Sequence, residues 1–265
     1  MKYLVYSDLD GTLLNHHDYS FDEASEALAY LQKEGIPLII ATSKTFREVQ
    51  PLQKKLNIKC PFIVENGAGI FIPSDSILAQ DILVSDSYLK ISQAQSYLEL
   101  RLFFKHLQKS HAIRGFGDMK VKEVMERTSL RYDDALNAMQ RDFTEPFIIE
   151  ETVDIKLLQD EVNAEGLDIV KGGRFYHLIS KGQDKAKAMQ RLTHLFEEYF
   201  GTSITMIALG DSANDFSMLK AAHKSVLIPG HNGVYADVEA SNISKASYPG
   251  PKGWNVSLLE ILHGE

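Results

Sequence analysis

The chain has 265 residues, of which 44% are hydrophobic and 24% are charged, with a net charge of −8 at pH 7. This composition is that of a globular protein of one large domain or two modest ones, and it excludes disordered, collagen-like and fibrous classes. The acidic balance argues against nucleic-acid binding, which relies on Lys and Arg to neutralise phosphates. The single cysteine excludes a disulfide framework within the chain and favours a reducing compartment, so we expect a cytoplasmic protein. No apolar run approaches the roughly 20 residues of a membrane helix, and we expect no membrane partner.

Strands and helices alternate in the first third of the chain. In chain order we predict a strand at 3–7, a helix at 21–33, a strand at 36–41, a helix at 46–56, and strands at 61–64 and 69–72. The strands are short apolar runs that end at acidic or turn residues, and the helices have apolar residues at helical spacing. Such alternation is typical of an open parallel α/β sheet.

The last third repeats this pattern. We predict a helix at 184–200, a strand at 204–209, a helix at 213–222, a strand at 225–228 and a helix at 254–262. The two outer thirds therefore predict one Rossmann-like, doubly wound parallel α/β core, formed by residues 1–84 and 182–265.

The middle of the chain has a different pattern. We predict one long helix at 87–111, two helices within 121–140, a strand at 147–150, a helix at 155–165, and strands at 167–170 and 175–179. Helices and strands in this order favour a separate α+β module. We therefore expect residues 85–181 to form a cap domain inserted into the core.

Two carboxylates, Asp8 and Asp10, follow the first predicted strand. Ligands bind at the carboxyl ends of the strands in open α/β sheets, and side chains two residues apart in a strand point to the same side. Two neighbouring carboxylates repel each other, so either a divalent cation neutralises them or one of them holds a proton. Both outcomes suit phosphoryl transfer, with one carboxylate as nucleophile and the other as general acid. The alternative is an Asp-Gly turn in which Asp10 bonds its own backbone.

A second acidic segment, LGDSANDFSML at 209–219, follows another strongly apolar strand. Asp211 there should lie at the same edge of the sheet and complete a site of hard oxygen ligands, which suits Mg²⁺. The alternative is that Asp211 or Ser212 caps the helix that follows.

Four segments in this order resemble the motifs of the haloacid-dehalogenase superfamily of phosphohydrolases: SDLDGTLL, IIATSKT, QDKAKAMQ and LGDSANDFSML. The inserted module between the second and third of them is similar to the type-II (IIB-like) caps of that superfamily. The segments VENGAGIFIP, RGFGDM, RDFTEPF and GGRFYHL extend the resemblance to the mannosyl-3-phosphoglycerate phosphatases. This resemblance implies an enzyme that hydrolyses a small phosphorylated sugar acid, mannosyl-3-phosphoglycerate, to mannosylglycerate and phosphate. The chain departs from the family at Ala68 and Ala186, where glycine is usual.

The resemblance also implies roles for the acidic residues. Asp8 would be the nucleophile that forms an aspartyl-phosphate, and Asp10 would be the general acid and base. Asp8, Asp10 through its backbone carbonyl, and Asp211 would hold Mg²⁺, with Asp215 as a ligand or as a group that orients one. The alternative for Asp215 is an acid in the first turn of a helix, stabilised by the helix dipole.

The cationic and hydroxyl residues of the motifs are expected at the phosphate. The resemblance assigns Lys185 to the transferring phosphoryl group, and Lys181 is the competing candidate. Thr42 would donate a hydrogen bond to phosphate. The alternative is that Thr42 caps the next helix, a role for which Ser43 and Thr45 compete. Ser43 and Lys44 are further candidate contacts to phosphate or substrate.

Three cap residues, Arg141, Glu145 and Arg174, lie in family-like segments. An arginine can bind the glycerate carboxylate through two hydrogen bonds, and Glu145 can accept hydrogen bonds from sugar hydroxyls. The alternative is that they form structural ion pairs within the cap. Trp254 is interpreted only as packing for the last helix.

Three functions stay open at this level. The first is the Mg²⁺-dependent phosphatase just described. The second is a broader sugar-phosphate phosphatase, or a phosphomutase with the same chemistry. The third is a non-enzymatic phosphoacceptor like a receiver domain, which also combines paired acids, a threonine and a lysine but has no room for a long insertion. We predict no particular oligomeric state.

Overall fold

The structure is a computed structural model that describes residues 2–80, 87–171 and 175–264. The strands in these ranges are β1 (Tyr3–Ser7), β2 (Leu38–Ala41), β3 (Phe62–Val64), β4 (Gly69–Pro73), β5 (Tyr88–Ser92), β6 (Ile113–Gly115), β7 (Glu145–Ile149), β8 (Leu167–Lys171), β9 (Tyr176–Ser180), β10 (Thr205–Gly210), β11 (Lys224–Leu227) and β12 (Ile243–Lys245). The α-helices are α1 (Ser25–Glu34), α2 (Phe46–Lys55), α3 (Tyr97–Leu107), α4 (Val121–Thr128), α5 (Tyr132–Met139), α6 (Ile155–Ala164), α7 (Lys185–Phe200), α8 (Phe216–Ala221) and α9 (Gly250–His263). Within the described ranges, none of these helices is both long and apolar enough to cross a bilayer.

A large sheet positions the acidic segments. Its strand order is β12-β11-β10-β1-β2-β3-β4-β5, and the pairs from β12 to β3 are parallel. Ser7 at the end of β1 lies opposite Leu209 of β10 and Ile40 of β2. The carboxyl ends of β10, β1 and β2 are therefore level with one another, and the segments that follow these strands lie together. The predicted α/β class is confirmed.

The middle of the chain forms a second, antiparallel sheet with the order β6-β7-β9-β8. Leu100 and Phe104 of α3 and Leu158 of α6 are buried in one cluster with Phe147 of β7 and Leu178 of β9. Helices that cover an antiparallel sheet are typical of an α+β unit.

The chain divides into two compact units. The first comprises Met1–Thr42, Ile58–Lys90 and Asp184–Glu265, and the second comprises Ser43–Asn57 and Ile91–Gln183. The sequence placed the junctions at 84/85 and 181/182 and assigned residues 43–57 to the core. These residues group with the second unit because the Thr45 hydroxyl donates to the Asn137 carbonyl (2.9 Å) and Arg141 donates to the Ser43 carbonyl (3.2 Å).

The predicted long helix at 87–111 is wrong. Its first part is β5, which joins the edge of the large sheet beside β4, and only Tyr97–Leu107 is helical. The boundary follows from Ser96, which accepts a hydrogen bond from the backbone N–H of Glu99 while the Glu99 carboxylate accepts from the Ser96 N–H. This capping box fixes the start of the helix. The short strands β6 and β12 were not predicted, because three residues carry too little periodicity.

Candidate active site

Three carboxylates lie together at the carboxyl ends of β1 and β10. Asp8 directly follows β1, and its backbone N–H donates to the carbonyl of Leu209 (3.0 Å). Asp8, Asp211 and Asp215 each offer a carboxylate oxygen, and the three oxygens lie within 4.8 Å of one another. Such a set of hard oxygen ligands suits a divalent cation such as Mg²⁺.

Lys185 is the buried cation of this site. Its ammonium group donates to Asp8 Oδ1 (2.7 Å) and to Asp215 Oδ1 (2.6 Å), and its side chain is 0% exposed. Lys185 is the first residue of α7, where Asp184 is the N-cap. A cation in this first turn is disfavoured by the helix dipole, and its two carboxylate partners offset that cost. Lys181, the competing candidate, is exposed.

Asp215 connects the lysine to the loop at 211–215, between β10 and α8, which we call the acidic loop. One carboxylate oxygen accepts from Lys185, and the other accepts from the backbone N–H groups of Asp211 and Ser212, both at 3.1 Å. The close approach is possible because residue 210 is glycine: a Cβ there would lie 2.6 Å from the Asp215 Cβ. Asp215 thus holds both the loop and the buried ammonium group in place.

The turn after Asp8 brings Gly11 and Thr12 against Asp211 in the acidic loop. Gly11 has a φ of +80°, and a Cβ there would lie 2.8 Å from Asp211 Oδ2. The Thr12 hydroxyl donates to Asp211 Oδ1 (3.3 Å). Glycine is therefore needed at position 11 for its left-handed backbone and for the close approach of Asp211. The chain turns at Gly11, and this turn lies against the carboxylate site.

Burial and repulsion by neighbouring carboxylates raise the pKa values of Asp8 and Asp211. Burial raises the pKa of Asp8 to about 8, with Lys185 opposing the shift and Asp215 adding to it. Burial and the charge of Asp215 also raise the pKa of Asp211 to about 6. Burial lowers the pKa of Lys185, but Asp215 and Asp8 outweigh it and hold that pKa above its usual range. One ammonium group therefore only partly neutralises this site, and a bound cation fits it.

Thr42, Ser43 and Lys44 follow β2. Thr42 belongs to the first unit, is 1% exposed, and donates its backbone N–H to the carbonyl of Ile63 (3.1 Å). It does not cap α2, because Thr45 does so through a capping box with Glu48. In the second unit, the Ser43 carbonyl accepts from Arg141, and Lys44 pairs with Glu48 (3.9 Å).

The cap residues make contacts within the second unit. Glu145 is 0% exposed, and its Oε1 accepts from Arg101 (2.8 Å) and from the Gly117 N–H (2.9 Å). Arg101 also donates to Asp118 (2.6 Å). Arg141 donates to the Thr144 hydroxyl (2.6 Å). Arg174 lies outside the described residues.

The turn 65–67 is a part of the site that the sequence showed only as a turn. Asn214 in the acidic loop donates to the Asn66 side chain (3.1 Å), and Asn66 has a φ of +57°. Gly67 has a φ of +93°, and a Cβ there would lie 2.1 Å from the carbonyl oxygen of Asp184. The turn therefore contacts both the acidic loop and the residue that precedes Lys185. The Asn66-Gly67 pair signals a left-handed turn. The contacts of this turn with Asn214 and Asp184 join residues far apart in the sequence, so no local pattern predicts them.

Comparisons with known proteins show which family the chain is similar to. A family model described as haloacid dehalogenase-like hydrolase matches residues 5–233. A protein of Persephonella marina is 48% identical over 98% of this chain and 97% of its own, and one of Methanococcoides burtonii is 37% identical over 99% and 98%. Both are named glucosyl-3-phosphoglycerate/mannosyl-3-phosphoglycerate phosphatase. A haloacid dehalogenase-like hydrolase from B. subtilis has a similar fold, with a TM-score of 0.66, 20% identity and 99% of both chains covered.

Proposed function

Since the chain belongs to the haloacid dehalogenase-like hydrolase family, we propose that it is a Mg²⁺-dependent phosphatase that removes the phosphate of mannosyl-3-phosphoglycerate and its glucosyl analogue. The family predicted from the four motifs is confirmed, and so is the prediction of a phosphoric monoester hydrolase. The observation that carries the proposed chemistry is the buried contact of Lys185 with Asp8 and Asp215.

The donor set fits Mg²⁺. Carboxylate oxygens of Asp8 and Asp211 are the proposed direct ligands, together with the backbone carbonyl of Asp10 that the family resemblance implies. Both carboxylate oxygens of Asp215 already accept hydrogen bonds, so we assign Asp215 to positioning Lys185 and the acidic loop. When bound, the cation neutralises charge on the phosphate and on the carboxylates, which allows one anion to attack another.

Asp8 is the proposed nucleophile. Lys185 holds its Oδ1, so attack on phosphorus falls to Oδ2. The new bond forms between Oδ2 and phosphorus while the bond from phosphorus to the glycerate oxygen breaks, which gives an aspartyl-phosphate. The ammonium group of Lys185 and the hydroxyl of Thr42 stabilise the charge on the transferring group.

Asp10 is the proposed proton carrier. It donates a proton to the glycerate oxygen as that oxygen leaves, so that mannosylglycerate departs as an alcohol. It then accepts a proton from the water that attacks the aspartyl-phosphate. That second attack releases inorganic phosphate and restores the Asp8 carboxylate.

The substrate assignment is supported by the names of the two relatives, which cover nearly the whole chain. Roles for Arg141, Glu145 and Arg174 in binding the sugar or the glycerate carboxylate stay predictions, as do those of Ser43 and Lys44. The cytoplasmic location likewise rests on the single cysteine.

The test measures phosphate release from mannosyl-3-phosphoglycerate, glucosyl-3-phosphoglycerate, sucrose 6-phosphate and mannose 6-phosphate, with Mg²⁺ or with a chelator. We expect kcat/KM for the two glycerate compounds to exceed that for the others by about a hundredfold or more. Equal turnover of sucrose 6-phosphate would overturn the substrate assignment, and phosphate transfer without release would indicate a mutase. Full activity in Asp8→Asn, checked by mass spectrometry for deamidation, would overturn the mechanism.

A further inference from the structure

A chain of two buried hydrogen bonds links the only tryptophan to the residue proposed as nucleophile. Trp254 in α9 donates its indole N–H to the hydroxyl of Ser7 (2.9 Å), and Ser7 donates to the backbone carbonyl of Asp8 (2.6 Å). Trp254 and Ser7 are both 0% exposed. We call these three residues the Trp254–Ser7–Asp8 chain.

Donor and acceptor chemistry fixes the direction of both bonds. An indole N–H can only donate, so the Ser7 hydroxyl must accept from Trp254. The single proton of that hydroxyl is then directed to the Asp8 carbonyl. Trp254 thus sets the rotation of the Ser7 hydroxyl.

Three hydrogen bonds hold Asp8 in place, and the bond from Ser7 is one of them. Its N–H donates to Leu209 in β10, its carbonyl accepts from Ser7, and its Oδ1 accepts from Lys185. The carbonyl belongs to the peptide that leads on to Leu9 and Asp10, so the Ser7 bond orients both the nucleophile and the proposed proton carrier. Small displacements of a reacting group cost large factors in rate.

Trp254 is itself anchored on both sides along the chain. A Cβ on Gly253 would lie 1.8 Å from the carbonyl oxygen of Tyr248, so only glycine allows this approach. The side chain of Asn255 accepts from the backbone N–H of Ala27 (2.8 Å). These two contacts hold the backbone of α9 on either side of Trp254, and the indole ring itself is fully buried.

We propose that Trp254 is a positioning residue for phosphoryl transfer, which acts through Ser7 to fix the Asp8–Leu9 peptide. This inference rests on the proposed function in which Asp8 is the nucleophile. It differs from a packing role, because packing alone does not require that the effects of Trp254 and Ser7 be coupled.

The kinetic test compares Ser7→Ala, Trp254→Phe and the double variant on mannosyl-3-phosphoglycerate. We expect Ser7→Ala to lower kcat about tenfold, the effect of one lost hydrogen bond on the barrier, and to leave KM within about twofold. Trp254→Phe should lower kcat by a similar factor. The double variant should be no slower than Ser7→Ala, because both changes interrupt the same chain.

Tyr6→Phe is the matched control. Tyr6 precedes Ser7 in β1, is 0% exposed, and its hydroxyl contacts the Thr193 hydroxyl (2.7 Å) and the Met189 carbonyl (3.2 Å). Tyr6→Phe also removes buried hydrogen bonds from β1, but the Tyr6 hydroxyl makes no hydrogen bond to the Trp254–Ser7–Asp8 chain. We expect an unchanged kcat.

A spectroscopic test needs no turnover. Because Trp254 is the only tryptophan, its fluorescence reports on this chain alone. Ser7→Ala removes the acceptor of the indole N–H and should shift the emission to shorter wavelength, whereas Tyr6→Phe should leave it unchanged. This measurement does not use Trp254→Phe, so it tests the hydrogen bond even if that variant does not fold.

Each outcome is decisive. An unchanged kcat in Ser7→Ala, or kcat effects that simply multiply in the double variant, would overturn the positioning role of Trp254. An emission maximum that is the same in Ser7→Ala and the wild type would overturn the hydrogen bond itself. If Asp8→Asn is inactive while Ser7→Ala has full activity, the proposed function stands and this inference alone fails.

Discussion

Lys185 donates a hydrogen bond to Asp215 at 2.6 Å, and both side chains are 0% exposed. A buried ammonium group and a buried carboxylate each cost several kcal/mol to desolvate, and their attraction is needed to offset this. Asp215 also accepts two backbone N–H bonds from the acidic loop. The position of Lys185 and the shape of that loop are therefore determined by the same carboxylate.

We expect Lys185→Met to lower kcat roughly 1,000-fold, because it removes the cation from the transferring phosphoryl group. It should also lower the free energy of unfolding by about 3–5 kcal/mol, since two buried carboxylates lose their counter-charge. Steady-state kinetics and urea denaturation measure the two effects. Lys187→Met is the control: Lys187 is exposed two residues further along α7, so activity within about twofold of the wild type is expected from a surface change. Near-normal activity of Lys185→Met would contradict the proposed role.

Removal of a metal ligand should change the cation requirement. We expect Asp211→Asn to raise the Mg²⁺ concentration for half-maximal activity by about tenfold or more, because a neutral amide is a weaker ligand than a carboxylate. Chelation should abolish the activity of the wild type, and added Mg²⁺ should restore it. Asp237→Asn removes an exposed acid of the first unit and should leave the requirement unchanged. The same Mg²⁺ dependence in Asp211→Asn and the wild type would exclude Asp211 as a ligand.

Local patterns predicted the elements that carry the chemistry. The apolar run of β1 ends at Asp8 and that of β10 ends at the acidic loop, so parallel pairing alone brings Asp8 and Asp211 together. The start of α7 at Lys185 follows from the capping residue Asp184. Each inference depended on residues close together in the chain, where periodicity and capping are strong signals.

Contacts between distant segments could not be predicted in this way. Trp254 and Ser7 are 247 positions apart, and no local pattern selects the acceptor of an indole N–H. The error at 87–111 has a related cause: β5 is a strand because it pairs with the sheet edge at β4. Tertiary pairing there overrides the apolar spacing that favoured a helix.

We expect Gly67→Ala to impair both stability and catalysis. A Cβ at this position would lie 2.1 Å from the carbonyl oxygen of Asp184, so the turn or the start of α7 must move. The free energy of unfolding should fall by about 3 kcal/mol, and kcat should fall about tenfold because Lys185 moves with its helix. Trp254 fluorescence during urea denaturation measures the first effect.

Gly35→Ala is the control for Gly67→Ala, because it introduces the strain of alanine at a positive φ without a close contact of the new Cβ. Gly35 also has a positive φ (+64°), but nothing lies within 4 Å of a Cβ built there. Gly35→Ala should lower the free energy of unfolding by about 1 kcal/mol, because alanine is strained in the left-handed backbone conformation. It should leave kcat unchanged. If Gly67→Ala behaved like Gly35→Ala in both measurements, the turn at 65–67 would have no part in positioning Lys185.

His177 in β9 should make the second unit sensitive to acid. Burial, followed by the charge of Arg141, lowers the pKa of His177 from 6.5 to about 3. Between these values the unfolded chain binds a proton that the folded chain does not, so stability is lost as the pH falls below about 6.5. At pH 5 the loss from this residue should be about 2 kcal/mol.

Far-UV circular dichroism during urea denaturation, at pH 7 and at pH 5, tests this expectation. His177→Gln stays neutral at both pH values, so its loss of stability between them should be smaller than that of the wild type by about 2 kcal/mol. His194→Gln is the control, because the side chain of His194 is 68% exposed and pairs with Glu198 on the surface of α7. It should retain the full acid sensitivity. Equal losses in His177→Gln and the wild type would show that His177 gains its proton as readily in the folded chain as in the unfolded one.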